Sequence, residues 1–220
     1  MSEQSRNSKE ENRVPIDYIK DKYNKIYSEN EVTFGKGKPE KIIEDIIQYC
    51  TSGSVLELGA GEGRNSLFLA GHGLEVTAKD ISDVGVDKIN KLAEAKGLNI
   101  KAEVADVSDL SLDNNFDVLI STFMLHHLSR REAIKLIEQM KEHTNVDGLN
   151  AITAFTKNGD FFKRNPETDD FYPEEGELKD IYSDWEILEY EEVEGGAFDK
   201  NPDGSPILNI SAKILAKKLK

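Results

Sequence analysis

Glycines occupy every second position of a short loop, Gly59, Gly61 and Gly63, directly after the apolar run 54–58. Glycine permits a tight turn and close backbone approach by a ligand, and the start of the helix that follows favours an anionic or zwitterionic group. A purely structural turn before a helix would also favour glycine. The spacing G-x-G-x-G differs from the G-x-G-x-x-G of dinucleotide-binding loops, which disfavours a dinucleotide without excluding one.

Two aspartates follow the next two predicted strands along the chain. Asp80 comes about 20 residues after the glycine loop, at a strand end where a carboxylate can accept both hydroxyls of a ribose. Asp106 ends the third predicted strand, where it can accept a hydrogen bond from the exocyclic amine of an adenine. Either aspartate alone fits a solvated strand end or a helix cap. Together with the glycine loop, at one rim of the sheet, they predict a nucleoside site.

His126 and His127 stand just after the fourth predicted strand, and they titrate near neutral pH. Either is a candidate general base, although a histidine here also fits packing against a pocket or a loop cap. Adjacent residues on an extended segment point to opposite sides, which argues against a shared metal site. We therefore expect no metal centre.

Aromatic and apolar side chains suggest a pocket for a small, soft or hydrophobic molecule, although their spacing fits core or lid packing equally well. These side chains are Phe123, Met124, Phe161, Phe162 and Phe171. The long polar stretch 156–175, with Gly159, Pro166 and Pro173, is the candidate lid. Tyr23 and Phe34 are expected to close over the site from the other side.

Alternating strand and helix patterns place these residues at one edge of a sheet. Two amphipathic helices precede the first strand, and strand–helix units then repeat. Ser129 and Glu132 predict a capping box for a helix that continues to about His143. Strands are predicted over 54–58, 75–78, 101–105, 116–121, 150–155, 185–193 and 207–215, the last two as an antiparallel hairpin at one edge. The expected fold is an α/β, doubly wound, mostly parallel seven-stranded sheet of the Rossmann-like kind.

Composition bounds the classes of function. The 220 residues include 28 basic and 42 acidic side chains, a net charge of −14 that disfavours nucleic acid as a partner. The single cysteine, Cys50, excludes an internal disulfide, and the sequence shows neither a membrane-spanning run nor a secretion signal. We therefore expect a cytoplasmic protein without a membrane partner. Because residues 1–13 contain few apolar side chains, we predict a disordered tail there. We predict that residues 14–220 form a single domain.

Four segments resemble the successive motifs of class I S-adenosylmethionine-dependent methyltransferases: VLELGAGEGRNSLFLA (55–70), Asp80, Asp106 and FDVLISTFMLHHL (116–128). The resemblance implies that S-adenosylmethionine is the cofactor. By this likeness the glycine loop with Glu57 holds its aminoacyl end, Asp80 its ribose and Asp106 its adenine. The full set of implied cofactor-binding residues is Phe34, Glu57, Gly59, Ala60, Gly61, Gly63, Arg64, Asn65, Asp80, Ile81, Asp106, Val107 and Ser121.

A narrower resemblance, carried by GRNSLFLA (63–70) and EEGELKDIYSDWEILEYEE (174–192), is to the tellurite-resistance methyltransferases. It implies that Arg64 lies close to the carboxylate of the cofactor, as a charge-assisted hydrogen bond would favour. The family's histidine–arginine pair and a further arginine, expected near the C-terminal hairpin, are missing. The matching stretch GGAFDKNPDGSP (195–206) has Lys200 as its basic residue, which argues against tellurite as the physiological substrate.

The sequence therefore predicts an S-adenosylmethionine-dependent methyltransferase that acts on a small-molecule acceptor, either of the tellurium or selenium type or a thiol. Because methyl transfer from a sulfonium is an in-line displacement, no nucleophilic side chain is required. Two alternatives remain open: a nicotinamide-dependent oxidoreductase, and a non-catalytic protein that binds S-adenosylmethionine.

Overall fold

The computed structural model describes residues 14–200 and 203–220, without the side chains of residues 197–199. The predicted disordered tail, residues 1–13, lies outside the described residues.

One mixed sheet contains seven strands in the order β3-β2-β1-β4-β5-β7-β6. Strands β1 to β5 pair in parallel, whereas β7 runs antiparallel to both β5 and β6. The bounds are β1 Ser54–Leu58, β2 Glu75–Asp80, β3 Ile100–Val104, β4 Phe116–Thr122, β5 Thr144–Phe155, β6 Glu186–Lys200 and β7 Pro206–Lys217. The predicted fold class is confirmed, with the β6–β7 hairpin at one edge.

Helices cover the two faces of this sheet. They are α1 Ile16–Glu29, α2 Lys41–Ile46, α3 Arg64–Gly71, α4 Asp83–Lys96, α5 Arg130–Glu142, α6 Asp160–Arg164 and α7 Glu177–Ile181, with short 3-10 turns at Gly35–Gly37, Val107–Asp109 and Leu125–His127. The predicted capping box is present at the start of α5. The Ser129 hydroxyl accepts from the amide of Glu132, whose carboxylate accepts from the Ser129 amide at 2.8 Å. These bonds satisfy two of the donors that a helix N-terminus leaves unpaired.

Among the described residues, alternation along the strands divides most buried apolar side chains between two large cores, and a smaller third cluster contains Val86 and Ile89 of α4. One core lies beneath α5 and contains Leu56, Leu58, Leu119, Leu136 and Ile137; the other lies beneath α2 and contains Val55, Val118, Ile120, Ile42 and Ile43. Both cores pack directly against the central strands β1 and β4. These two strands, whose carboxyl ends carry the glycine loop and the two histidines, are therefore packed on both faces.

Strands β5 and β6 are longer than predicted, and β6 continues to Lys200 rather than to residue 193. The fifth strand begins at Thr144 rather than at residue 150, because Asp147 adopts a left-handed φ of 65° within an irregular stretch of pairing with β4 instead of ending the strand. The candidate lid 156–175 contains the short helix α6. It is also anchored to the loop after β4, since the Phe171 amide donates to the Leu128 carbonyl at 2.9 Å.

Candidate functional site

A cavity of about 530 Å³ opens beyond the carboxyl ends of the parallel strands. The sheet order reverses between β1 and β4, because β2 and β3 lie to one side of this pair and β5 to the other. Ligands of open α/β sheets bind at such a switch point. Helix α1 covers the cavity from above through Ile19, Tyr23 and Tyr27. The volume is within the range of sites for small organic ligands.

The glycine loop after β1 is held against the end of β2 by its own amides. The amides of Gly59 and Ala60 donate to the Lys79 carbonyl at 2.8 and 3.0 Å, and the Gly61 amide donates to the Asp80 carboxylate at 2.7 Å. Gly61 has a φ of 59°, and a Cβ there would lie 2.7 Å from the Tyr27 hydroxyl. The loop therefore needs glycine for both its conformation and its packing under α1.

Asp80 lies at the rim of the cavity with an exposed fraction of 8%, beside Ile81. Its second oxygen accepts from the Ser82 amide at 2.8 Å, and burial raises the pKa of the carboxyl group above its usual value. A carboxylate can accept about four hydrogen bonds, so Asp80 keeps acceptor capacity toward a ligand. Asp106 and Val107 line the same side, where Asp106 accepts from the Ser108 amide at 2.9 Å.

A buried polar cluster lies beneath the glycine loop. The Glu57 carboxylate accepts from the Asn65 side chain at 2.8 Å and from the Ser66 hydroxyl at 2.5 Å, and burial raises the pKa of Glu57 to about 6. Asn65 also donates to the Thr122 hydroxyl at 3.0 Å and accepts from the Glu40 amide at 3.1 Å. One amide side chain thus ties together β1, β4 and the segment before α2.

Three of the predicted cofactor-binding residues do not line the cavity: Glu57, Gly63 and Ser121. Glu57 and Ser121 are almost fully buried in the sheet, with exposed fractions of 1% and 0%. Gly63 forms the N-cap of α3, and a Cβ there would lie 2.6 Å from the Ile89 side chain. Of the three, Glu57 acts on the cavity through Asn65, whose side chain its carboxylate holds.

Arg64 and Phe34 enter the cavity from the first turn of α3 and from the loop after α1. The Arg64 guanidinium pairs with the Glu40 carboxylate at 2.5 Å, and both side chains are largely buried. The loop that carries Phe34 is held in turn by Glu62, which accepts from the Thr33 and Phe34 amides at 2.5 and 3.3 Å. Sequence reasoning missed the acidic partner of Arg64, because 24 residues separate the pair.

Both histidines after β4 face the cavity, so the expectation that they point to opposite sides is wrong. The 3-10 turn Leu125–His127 brings their rings to a centroid distance of 4.0 Å. The His127 ring lies 2.9 Å, Nε2 to hydroxyl oxygen, from Tyr23. Nδ1 of His126 is buried without a hydrogen-bond partner, and burial holds the pKa of this imidazole well below its usual value.

Aromatic rings form the wall next to the histidines. Phe123, Met124 and Phe161 line the cavity as predicted, together with Phe155 at the end of β5. Phe155 could be recognised as the last residue of a predicted strand that ends at the same rim. Phe162 and Phe171 do not line the cavity: Phe162 packs on Tyr172, and Phe171 is fully buried in the core.

The described residues contain no cluster of three or more His, Cys, Asp or Glu side chains suited to a metal ion. Within the same ranges, the helices are too short or too polar to cross a bilayer.

Comparison with known proteins identifies a family. Residues 14–212 match the family model described as Tellurite resistance protein TehB. The chain is 34% identical over 202 residues to a probable S-adenosyl-L-methionine-dependent methyltransferase TehB of Haemophilus influenzae, covering 92% of this chain and 66% of that relative. This chain therefore spans slightly less than two thirds of the relative's length.

Solved structures show the same architecture. The crystal structure of TehB from Haemophilus influenzae aligns over 92% of this chain and 66% of its own, with a TM-score of 0.75 and 33% identity. The N-methyltransferase NodS from Bradyrhizobium japonicum, solved with S-adenosyl-L-homocysteine, aligns over 91% of this chain and 98% of its own, with a TM-score of 0.68 and 12% identity. The second likeness concerns the fold alone.

Proposed function

Since this chain belongs to the TehB family of tellurite resistance proteins, we propose that it transfers a methyl group from S-adenosylmethionine to a small-molecule acceptor. The relative from Haemophilus influenzae is named as a probable methyltransferase that depends on this cofactor. The observation that carries the proposal is the division of the cavity at the switch point. Acidic groups and the glycine loop lie beyond β1 to β3, and an aromatic wall lies beyond β4 and β5.

The first half of the cavity fits the cofactor. Asp80, next to Ile81, has acceptor capacity for the ribose hydroxyls. Asp106 and Val107 line the same side of the cavity, which supports their proposed contact with the adenine. Arg64, already paired with Glu40, has further N–H donors for the carboxylate of the aminoacyl end. The full set of residues proposed to contact or shape this half is Phe34, Glu57, Gly59, Ala60, Gly61, Gly63, Arg64, Asn65, Asp80, Ile81, Asp106, Val107 and Ser121.

Within this set, Glu57 acts from below. Its carboxylate accepts a hydrogen bond from Asn65, which lines the cavity, and so fixes the Asn65 side chain. Asn65 in turn bonds to the Thr122 hydroxyl and to the backbone amide of Glu40. The glycine loop contributes shape, because the amides of Gly59, Ala60 and Gly61 already donate within the protein.

The sulfonium of S-adenosylmethionine supplies an activated methyl group. The task of the protein is to hold the acceptor in line with that group at about 3 to 3.5 Å and to exclude water. Helix α1 serves the second purpose, because Tyr23 and Tyr27 cover the cavity from the side opposite the sheet. The segment 156–175 is proposed as a further lid, with Phe161 contributing to the wall.

The acceptor is a thiol or a selenium or tellurium compound without a strong negative charge. The stretch in which the family is expected to carry a histidine–arginine pair contributes Gly195 and Gly196 to the cavity wall. The net charge of −14 would repel an oxyanion at low salt. The same charge makes nucleic acid an unsuitable acceptor.

Calorimetry tests the cofactor, with S-adenosylmethionine, S-adenosylhomocysteine and NAD⁺ titrated in parallel. The proposal expects binding of the first two and not of NAD⁺; the reverse result would indicate the oxidoreductase. Turnover is then measured on thiols, selenite and tellurite. Binding of S-adenosylmethionine without transfer to any acceptor would indicate a non-catalytic protein.

A further inference from the structure

A continuous row of rings lines the half of the cavity beyond β4 and β5. The His127 and His126 centroids lie 4.0 Å apart, His126 and Phe155 5.1 Å, and Phe155 and Phe161 5.0 Å. Phe123 packs on Phe155 at 4.8 Å. Such a wall favours an acceptor with a flat apolar body.

The backbone at Phe123 is strained to build this wall. Phe123 has a φ of 53°, which a bulky side chain rarely adopts, and its amide donates to the Thr153 carbonyl of β5 at 2.8 Å. A conformation of this kind persists where the surrounding structure enforces it, and it is common at functional sites. Here it brings the Phe123 ring onto Phe155 at the rim of the cavity.

At the far end of the row, the cavity is bordered by backbone. Gly195 and Gly196 line it from β6, and a Cβ built on either glycine would meet no atom within 4 Å. Ser211, paired with Phe155 across β5 and β7, lies on the same border. This end therefore has room for the body of an acceptor larger than an inorganic oxyanion.

Most of the charged residues that line the cavity lie toward the glycine loop: Glu40, Glu62, Arg64, Asp80 and Asp106. Arg64 is paired with Glu40, and Glu62 lies 3.3 Å from the Lys88 ammonium. Lys22 on α1 also lines the cavity, and its positive charge acts on His126. Among the described residues, the charged groups that act on His126 are basic, so this wall disfavours an ammonium group and suits an acceptor that is neutral or becomes negative on losing a proton.

His126 offers a proton acceptor within this row. Its ring lines the cavity, and within the described residues it makes no hydrogen bond, in contrast to His127, which contacts the Tyr23 hydroxyl through Nε2. Nδ1 is fully buried, so Nε2 is the nitrogen of His126 that a molecule in the cavity can reach. A ligand that donates to Nε2 would give this imidazole the partner that polar groups inside folded proteins usually have.

We propose that the acceptor is a thiol with an aromatic ring, bound along the ring row with its S–H directed at Nε2 of His126. This inference rests on the proposed methyltransferase function. In the reaction the S–H bond breaks and its proton moves to Nε2, while the sulfur electron pair forms the new S–CH₃ bond. The electrons of the broken bond to the methyl group remain on the donor sulfur, which becomes a neutral thioether. The imidazolium then loses its proton to solvent.

The proton acceptor is tested with two ring-bearing thiols and one variant. His126→Asn keeps a polar side chain of similar width but cannot act as a base near neutral pH. At pH 7, 2-phenylethanethiol is protonated and 4-nitrothiophenol is ionised. The variant should lose about 100-fold in kcat/KM for the first and little for the second. Equal losses for both thiols, or none, would overturn the role of His126. The control is His72→Asn, at the exposed end of α3.

Binding without turnover tests the acceptor class separately. With S-adenosylhomocysteine bound, calorimetry should detect 2-phenylethanethiol and not tellurite. Gly195→Leu and Gly196→Leu test the open end as a pair, because the side chains of adjacent strand residues point to opposite faces. One of the two variants should weaken thiol binding at least tenfold by filling this end, and the other serves as its control. If S-adenosylhomocysteine binds but no ring-bearing thiol does, this inference is overturned and the proposed function is not. Failure to bind the cofactor product would overturn the proposed function as well.

Discussion

The Tyr23 hydroxyl lies 2.9 Å from Nε2 of His127, so the first helix is joined across the cavity to the loop after β4, although 104 residues separate the two side chains. Their rings also meet edge to face, with centroids 5.4 Å apart. This contact therefore closes the cavity between α1 and the loop after β4. Elsewhere α1 is held by Asn24, which accepts from the Ser82 hydroxyl at 2.6 Å, so the helix can part from the loop while it stays attached at the start of α4.

Tyr23→Phe should loosen the cover without disturbing the sheet. A hydrogen bond of this kind contributes about 1 kcal/mol, so the affinity for S-adenosylmethionine should fall about fivefold. The amides of α1 should also exchange hydrogen faster. Tyr18→Phe on the same helix is the control, because Tyr18 is 62% exposed. If the two variants bind the cofactor equally well, the Tyr23–His127 contact does not close the site.

Asp80→Ala should weaken cofactor binding by about 1 to 3 kcal/mol, because the ribose hydroxyls would lose their acceptor. The substitution also removes the acceptor for the Gly61 and Ser82 amides, so thermal unfolding must be measured beside calorimetry. Asp87→Ala, on the exposed face of α4, changes the net charge equally and should leave affinity unaltered. Equal affinities of the two variants would remove Asp80 from the site.

The strand ends of the cofactor half could be predicted from sequence because they depend on local pattern. In a parallel sheet, residues that directly follow consecutive strands meet at one edge, and this rule places Gly59, Asp80 and Asp106 together without knowledge of the packing. The capping box at Ser129 is equally local. Such features need only a few adjacent residues to be specified.

Other parts of the site depend on tertiary packing, which the local pattern does not contain. The Glu40–Arg64 pair requires α2 to lie beside α3, and Gly195 reaches the cavity only because β6 is the edge strand of the sheet. The resemblance implies that Glu57, with the glycine loop, holds the aminoacyl end of the cofactor, and the structure buries this side chain beneath the loop. A carboxylate in a buried strand can position other residues as well as bind a ligand.

Gly61→Ala should destabilise the fold for two reasons: the left-handed φ at this position, and the contact of the new Cβ with Tyr27. Gly61 and Gly73 both have left-handed φ angles, 59° and 95°, but a Cβ at Gly73 meets no atom within 4 Å whereas one at Gly61 lies 2.7 Å from the Tyr27 hydroxyl. Both variants should lose about 1 kcal/mol of the free energy of unfolding to the strained φ. Urea unfolding should show a larger total loss for Gly61→Ala than for Gly73→Ala. Adding Tyr27→Phe to Gly61→Ala should recover part of the difference. Equal losses at the two glycines would show that α1 does not press on the loop.

Glu57→Gln should change how stability depends on pH. Burial raises the pKa of Glu57 from 4.5 to about 6, so between these values the native state holds a proton that the unfolded state releases. The free energy of unfolding contributed by this group must then fall as the pH rises through this window, by about 2 kcal/mol at 1.36 kcal/mol per pH unit. Glutamine does not titrate, so its contribution to stability does not depend on pH. Relative to the natural protein, the free energy of unfolding of the variant should therefore rise by about 2 kcal/mol between pH 4.5 and 6.5.

A comparison with Glu103 gives the test its control. The ammonium groups of Lys101 and Lys79 lower the pKa of Glu103 to about 2, so its stabilisation is present above pH 4.5 and is lost as the pH falls toward 2. The difference in free energy of unfolding between Glu103→Gln and the natural protein, measured with urea, should therefore stay constant from pH 4.5 to 6.5. In more acidic solution the variant should become more stable relative to the natural protein. If the stability difference between Glu57→Gln and the natural protein also stays constant from pH 4.5 to 6.5, then Glu57 has its ordinary pKa in the folded protein. The bonds from Asn65 and Ser66 would then offset the cost of its burial in full.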